Sequence, residues 1–279
     1  MVLNAFSSPS FAEALDAPQR IASCSLATDE ISLELLKRGH HEHRLIAVSK
    51  LADSSEYSNI QPVPKDLKGR CGTELESLLS LKPDLILLAP YTRPEFVHQV
   101  KSAKIGTFTT ENPDSLEKIE KTIEDLGVRI GEGPSSESLL RDFRAQRAAF
   151  RERRNQSKKS PRLLHMFGDG SFSGAGTMFD AITKEVGAVN VIAEIGVKGW
   201  PKLSLEQIVT LNPDLVVLAG DPRDQPKTLK SLQSLPGIKE LPAIREGRVV
   251  VIPESELGAV SHHVLKAIEK LSQAIRNIR

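Results

Sequence analysis

The residue types of this chain offer donors for metals, partners for anions and one pair of thiols. The run His40-His41-Glu42-His43 crowds three imidazoles and a carboxylate, the donor types that hold transition metals. It stands between the end of one helical pattern and the start of an apolar run, so it reads as a solvated connection rather than a metal site. His262-His263 opens the last helical segment, where imidazole either starts the helix or contacts a bound iron centre or anion. His165 lies in an apolar run and reads as a satisfied core histidine. Lys50, Arg70, Arg93 and Arg223 supply ammonium and guanidinium groups suited to carboxylates and phosphates, unless they are merely rim charges. Cys24 and Cys71 either bridge or stay as buried thiols. A Gly-x-Ser-x-Gly elbow, a P-loop, a Gly-x-Gly-x-x-Gly turn after a strand and a His-Glu-x-x-His helix are all missing, which removes the usual grounds for an enzyme.

The elements that must hold these groups are organised by a repeat. The stretch Thr73–Ala89 returns as Leu203–Ala219, with Pro83 and Pro213 at an offset of 130 residues. Leu75/Leu205, Glu76/Glu206, Leu81/Leu211, Asp84/Asp214, Leu85/Leu215, Leu88/Leu218 and Ala89/Ala219 are identical pairs without a gap. Leu75, Leu78 and Leu79 lay an apolar face along a short helix, which the proline then stops. The runs Leu85–Ala89 and Leu215–Ala219 are apolar without alternation, as in strands covered on both faces of a parallel sheet. Thr73-x-x-Glu76 and Ser204-x-x-Gln207 read as capping boxes. The chain therefore contains two related halves.

Around the repeat, strands are expected at 20–25, 45–49, 105–109, 162–167 and 248–253. A first helix is expected with Thr28 as its N-cap and Gly39 as its end, and another over Leu116–Leu126 closed by Gly127. The segment Lys50–Cys71 reads as irregular and long for a connection. Residues Ser135–Lys159 carry a thin apolar set among many charges, with no glycine or proline, and read as a helical strut that restricts motion between the halves. Cys24 and Cys71 are expected close together at one end of the first half, bridged or free.

With 39% hydrophobic and 26% charged residues in 279, the composition is that of a soluble globular chain, and no apolar run approaches the roughly 18 residues of a membrane span. A net charge of +1, without a basic stripe, excludes nucleic acid as the expected partner. Ala12-Glu13-Ala14 has the form of a signal-peptidase site, so residues 1–19 read as the remnant of an export signal or a disordered extension. The expected lobes are 20–133 and 161–279, with 134–160 as the connecting helix.

Several segments together resemble the ABC-importer substrate-binding proteins whose two lobes are joined by one rigid backbone helix. They are Arg20-Ile21-Ala22-Ser23, Leu45-Ile46-Ala47-Val48-Ser49, both Pro-Asp-Leu repeats, Gly187-Ala188-Val189-Asn190-Val191, Trp200-Pro201-x-Leu203-Ser204-x-Glu206-Gln207 and Arg245-Glu246-Gly247-Arg248-Val249. The likeness is greatest to vitamin B12-binding members, with haem- and ferric-siderophore-binding members next. It implies an α/β fold of two similar lobes with mostly parallel central sheets, one long joining α-helix, and a ligand cleft between the lobes at the carboxyl ends of the strands.

The resemblance places Ser25, Lys50, Tyr57, Arg70, Thr73, Tyr91, Arg93, Phe167, Trp200, Asp221, Arg223 and His263 at or beside that cleft. Trp200 matches an aromatic position of the cobalamin binders, and Phe167 and Tyr57 fit others. A tryptophan expected near position 70 is Arg70 here, the tyrosine of many haem binders falls at Gly69, and His262-His263 replaces a usual Pro-Arg. Glu76 and Glu206 are implied to dock on a permease, one from each lobe. The implied protein is a periplasmic monomer with no cofactor or resident metal. It carries a bulky ligand with a planar or apolar part and anionic substituents, cobalamin first, haem or a ferric siderophore as the alternative. A tetrapyrrole-handling enzyme of the chelatase kind is the alternative from another class.

Overall fold

In the computed structural model, which describes residues 17–72, 74–155 and 160–278, every paired strand runs parallel to its neighbour. β1 (Ile21–Ser23) leads through α1 (Leu26–Arg38) to β2 (Leu45–Ser49), and a long connection reaches β3 (Gly69–Cys71). The first repeat copy is α2 (Leu75–Ser80) and β4 (Leu85–Leu88), followed by α3 (Pro94–Ser102), β5 (Gly106–Thr109) and α4 (Leu116–Arg129). The sheet order is β3-β2-β1-β4-β5. α5 (Gly133–Asn155) then crosses to β6 (Arg162–His165), α6 (Met178–Glu185), β7 (Val189–Asn190) and α7 (Val191–Glu194). The second copy is α8 (Leu205–Leu211) and β8 (Leu215–Ala219), followed by α9 (Gln225–Ser234), α10 (Pro242–Arg245), β9 (Val249–Ile252), α11 (Glu254–Leu257) and α12 (Val264–Asn277). This sheet is ordered β7-β6-β8-β9, so the chain forms two α/β lobes joined by a helix of 23 residues, roughly 35 Å long.

The two copies are built alike for a physical reason. Lys82 and Asn212, each just before its proline, take left-handed φ angles of 49° and 43°, because the following ring disfavours the helical conformation there. The next residue then ties the lobe together. Asp84 accepts hydrogen bonds from the backbone N–H groups of Gln19 (2.7 Å) and Arg20 (3.1 Å), and the Arg20 guanidinium donates to the Lys82 carbonyl (2.9 Å). Asp214 accepts from the Arg162 N–H (2.8 Å), and Arg162 donates to the Leu211 carbonyl (2.9 Å). Each aspartate thus fixes the register of its strand against the first strand of its lobe, Ile21 opposite Leu85 and Leu163 opposite Leu215.

Several local expectations are corrected. α1 is capped by Ser25, whose side chain accepts from the Thr28 N–H, so Thr28 lies inside the helix. Gly127 is buried within α4 rather than ending it; a Cβ there would stand 2.3 Å from that of Ser136, so the glycine lets α5 approach closely. Residues 69–71 leave the irregular segment to form β3. Glu74 holds the cap position of α2 without a side-chain bond, and Thr73 of the expected Thr73-x-x-Glu76 box lies outside the described residues. The Ser204/Gln207 box is present in full. α5 begins at Gly133-Pro134, where proline in the first turn costs no hydrogen bond, while 156–159 and the proposed export remnant up to residue 16 lie outside the described residues.

A single apolar core runs through the joining helix, from Leu36 and Ile123 past Phe143 and Phe150 to Ile182 and Leu271. Arg147 sits in that seam, 5% exposed. Its guanidinium pairs with Glu117 (2.6 Å) and Glu120 (2.5 Å) of α4 and Glu185 (3.2 Å) of α6. Arg147→Ala leaves Glu185 buried beside a lost partner and is expected to cost about 3–5 kcal/mol in urea unfolding. A loss below about 1 kcal/mol would mean that apolar packing alone holds the seam.

Candidate functional site

Both sheets change direction at one point. The chain leaves β1 for β2 on one side and returns as β4 on the other, and β6 stands likewise between β7 and β8. Connections diverge there, which opens a crevice outside the carboxyl ends of the strands. The Asn59 side chain donates to the Ser255 carbonyl (2.5 Å), setting the segment after β2 against the one after β9. The carboxyl ends of the two sheets therefore border a common cleft.

Exposed rings rise from its lips. Tyr91, after β4, is 70% exposed, and Trp200 of the second lobe is 66% exposed. Tyr57 and Leu51, after β2, are also exposed. Phe167, after β6, is half-buried with its ring 4.4 Å from that of His165. His165 is satisfied on one side only: Nδ1 bonds the Ser173 hydroxyl (2.8 Å), while Nε2 is buried without a partner. Burial pulls its pKa down to about 4, so the ring is neutral at pH 7. Glu56, and to a lesser degree Glu254 across the cleft, push the Tyr57 phenol up and keep it protonated.

Two of the four cationic residues are already paired. Arg70 is held bidentately by Asp53 (2.7 and 2.8 Å), and Arg223 by Asp221 (Nε at 3.0 and 2.9 Å). The Arg223 guanidinium holds Asp221 down to about 2. Lys50 and Arg93 are exposed and in no ion pair among the described residues. The Lys50 stem lies over Gly72, where a Cβ would meet its Cε at 2.6 Å. Beside it Cys24 and Cys71 form a disulfide, Cα atoms 5.0 Å apart, which joins the ends of β1 and β3 over β2. Ser25 is buried and its hydroxyl is used by Thr28.

His263 stands directly before α12 and is half-buried. It stacks on His262 (centroids 4.0 Å) and lines a cavity of about 780 Å³ between α1, α5 and α12, with Arg38, Asp142 and Lys266. The cluster around His41 is a structural contact, its Nδ1 2.7 Å from Glu132, and no metal-holding group of three donors occurs among the described residues.

A group that sequence reasoning missed lies under the cleft floor. Asp29, one turn into α1, is fully buried and accepts from the Ser49 N–H (3.1 Å) and hydroxyl (2.5 Å). It thereby anchors the end of β2 where Lys50 departs. Its only sequence signal was a carboxylate one turn past the cap. Burial raises its pKa from 3.8 to about 7, against the opposing hydrogen bonds from Ser23 and Ser49. The folded state keeps this proton where the unfolded chain has lost it, so Asp29 favours folding below pH 4 and that contribution is lost as pH rises towards 7. Asp29→Asn is expected to remove this slope, read as the difference between wild-type and variant urea stabilities at pH 4.5 and 7.5; parallel pH profiles would refute the assignment.

Comparison with known proteins agrees with this architecture. The chain is 24% identical over 209 residues to a cobalamin-binding protein of Halobacterium salinarum, covering 74% of this chain and 56% of that one. It thus spans little more than half the length of that relative. A vitamin B12-binding protein of Yersinia pestis is 25% identical over 206 residues, covering 73% and 70%. The periplasmic haem-binding protein of Roseiflexus superposes with a TM-score of 0.78 at 22% identity, over 93% of this chain and 98% of that one. Residues 21–256 match the periplasmic binding protein family, and the chain belongs to it.

Proposed function

We propose that this protein captures a bulky metal chelate of the corrinoid kind, cobalamin first, and delivers it to the permease of an ABC importer. The observation that carries this reading is the charge of the cleft rim. Arg70 and Arg223 are already neutralised by Asp53 and Asp221, while Tyr91 and Trp200 offer exposed rings from opposite lobes. Such a rim suits a large ligand with flat apolar parts and an amide periphery, with Lys50 and Arg93 left for an anionic substituent, better than a polyanion. The relatives named for cobalamin and vitamin B12 support the same choice. The Cys24–Cys71 bridge supports an exported, periplasmic protein, since such bonds persist in oxidising compartments. Haem or a ferric siderophore is the second reading, favoured by Tyr91, whose exposed phenol would be the iron ligand.

Calorimetry with cyanocobalamin is expected to give a Kd below about 1 µM, about −8 kcal/mol. The emission of Trp200, the one tryptophan of the chain, should be quenched on binding. Trp200→Ala should weaken the complex at least about tenfold, ~1.4 kcal/mol. Tight binding of haemin with none of cyanocobalamin would reverse the ranking, and binding of simple oxyanions alone would end the bulky-ligand reading.

Glu76 and Glu206 are the proposed permease contacts. Both are exposed, at the same position of α2 and α8 in the repeat. The box between Ser204 and Gln207 is complete without Glu206, whose exposed carboxyl is held below the usual range by the Ser204 hydroxyl and its own backbone N–H. In proteoliposomes carrying the cognate importer, Glu76→Ala with Glu206→Ala should reduce uptake to background while the Kd for ligand stays unchanged. Undiminished uptake would remove the docking assignment.

A further inference from the structure

A polar cluster at the seam between the lobes lies beyond the exposed rings and paired arginines of the cleft. Glu30, in α1, is 4% exposed, yet both its oxygens are used. Oε1 accepts from the backbone N–H (2.9 Å) and side-chain amide (3.1 Å) of Asn59. Oε2 accepts from the hydroxyl of Ser261, in the segment before α12. The Asn59 amide spends its second proton on the Ser255 carbonyl of α11 (2.5 Å), and its oxygen accepts from Lys266 Nζ of α12 (3.0 Å). One carboxylate and one amide thus link two segments of the first lobe to three of the second.

The position of the cluster gives it leverage. α1 begins at the cleft floor, and α11 follows directly on β9, so both carry cleft-bordering chain. On the far side of the cluster lie the stacked His262 and His263 and the large cavity between α1, α5 and α12. A rotation of one lobe against the other about α5 has open space on that side. It must first part Ser261 from Glu30, and Ser255 and Lys266 from Asn59. The carboxylate is buried, so water does not readily replace the lost partners, and the parted state is disfavoured.

We propose that Glu30 is a positioning residue that sets the aperture of the cleft by holding the two lobes together through Ser261 and Asn59. The arrangement is independent of which ligand the cleft accepts. The Asn59 end fixes Glu30 within its own lobe, and the Ser261 end is the direct cross-lobe link of Glu30, beside those that Asn59 makes to Ser255 and Lys266, so Ser261 tests the contribution of Glu30 by itself.

The test is an interlobe distance in the ligand-free protein. Nitroxide labels at Glu95→Cys and Lys227→Cys, exposed positions on α3 and α9, leave the native disulfide intact and report lobe separation by pulsed electron resonance. The parent should give one narrow distance distribution. Glu30→Ala should add a second, displaced population, and Ser261→Ala, which leaves Glu30 bound to Asn59, should do the same. Glu30→Gln keeps an acceptor for Asn59 and a partner for Ser261 and should retain the parent distribution. If Glu30→Ala does not fold, Ser261→Ala alone decides. A parent-like distribution in Ser261→Ala, or an effect of Glu30→Gln as large as that of Glu30→Ala, overturns the proposal.

Discussion

Arg147 is the point on which the relation between the lobes depends. It projects from the helix that joins them and reaches carboxylates on both sides, Glu117 and Glu120 of α4 and Glu185 of α6. Arg144 and Arg151 extend the pairing along the same helix face, to Glu120 (2.6 Å) and Glu185 (2.9 Å). Buried ion pairs add little net stability over a well-packed apolar seam, because desolvation offsets most of the attraction. What they add is direction: guanidinium and carboxylate bind well in few geometries, whereas leucines slide. The helix is therefore fixed in rotation as well as position, and the lobes are mounted on it like plates on a bar.

The repeat made this architecture legible, because two copies of one αβ unit imply two similar sheets. Part of its meaning was still hidden. Asp84 and Asp214 stood out as identical residues, but their partners, Gln19 and Arg20 in one lobe and Arg162 in the other, are more than fifty residues away. Local patterns carry no record of such distances. The same holds for β3, whose three residues are Gly-Arg-Cys and have no strand signature; its place comes from pairing with Ala47–Ser49 and from the disulfide. Thr28 was read as the cap because it precedes an apolar pattern, yet Ser25, three residues earlier, has the extended backbone that a cap requires, φ −151° and ψ 151°.

The cleft was legible in outline and misread in charge. Strand ends can be located from the repeat, and Tyr91 does follow β4 on an exposed loop, whereas Trp200, also exposed, follows α7 rather than a strand end. Arg70 and Arg223 were also placed, but their state depends on Asp53 and Asp221. Asp221 lies only two residues from its arginine, so that pairing was within reach of the sequence; Asp53 and Arg70 meet only because β3 lies beside β2. His263 was placed by analogy with a family position, and the half-buried ring lines the cavity between α1, α5 and α12, which no local pattern foretells.

These pairings bear on selectivity. A small oxyanion approaching Arg70 must compete with a carboxylate that already makes two parallel hydrogen bonds and is tethered at effectively high local concentration. The exchange gives back about what it removes, so the paired arginines have little net attraction for simple anions, and Lys50 and Arg93 remain the exposed cations in no ion pair among the described residues. A ligand with amide or carbonyl groups at its edge meets a different balance, since a paired guanidinium still has N–H groups directed outward and need not break its pair to donate one. Apolar area against Tyr91 and Trp200 then supplies the larger share of the free energy, and that share grows with ligand size. On the proposed reading this rim suits large, flat chelates of low charge, with Lys50 and Arg93 left for an anionic substituent, which is the physical ground for ranking a corrinoid above a polyanionic siderophore.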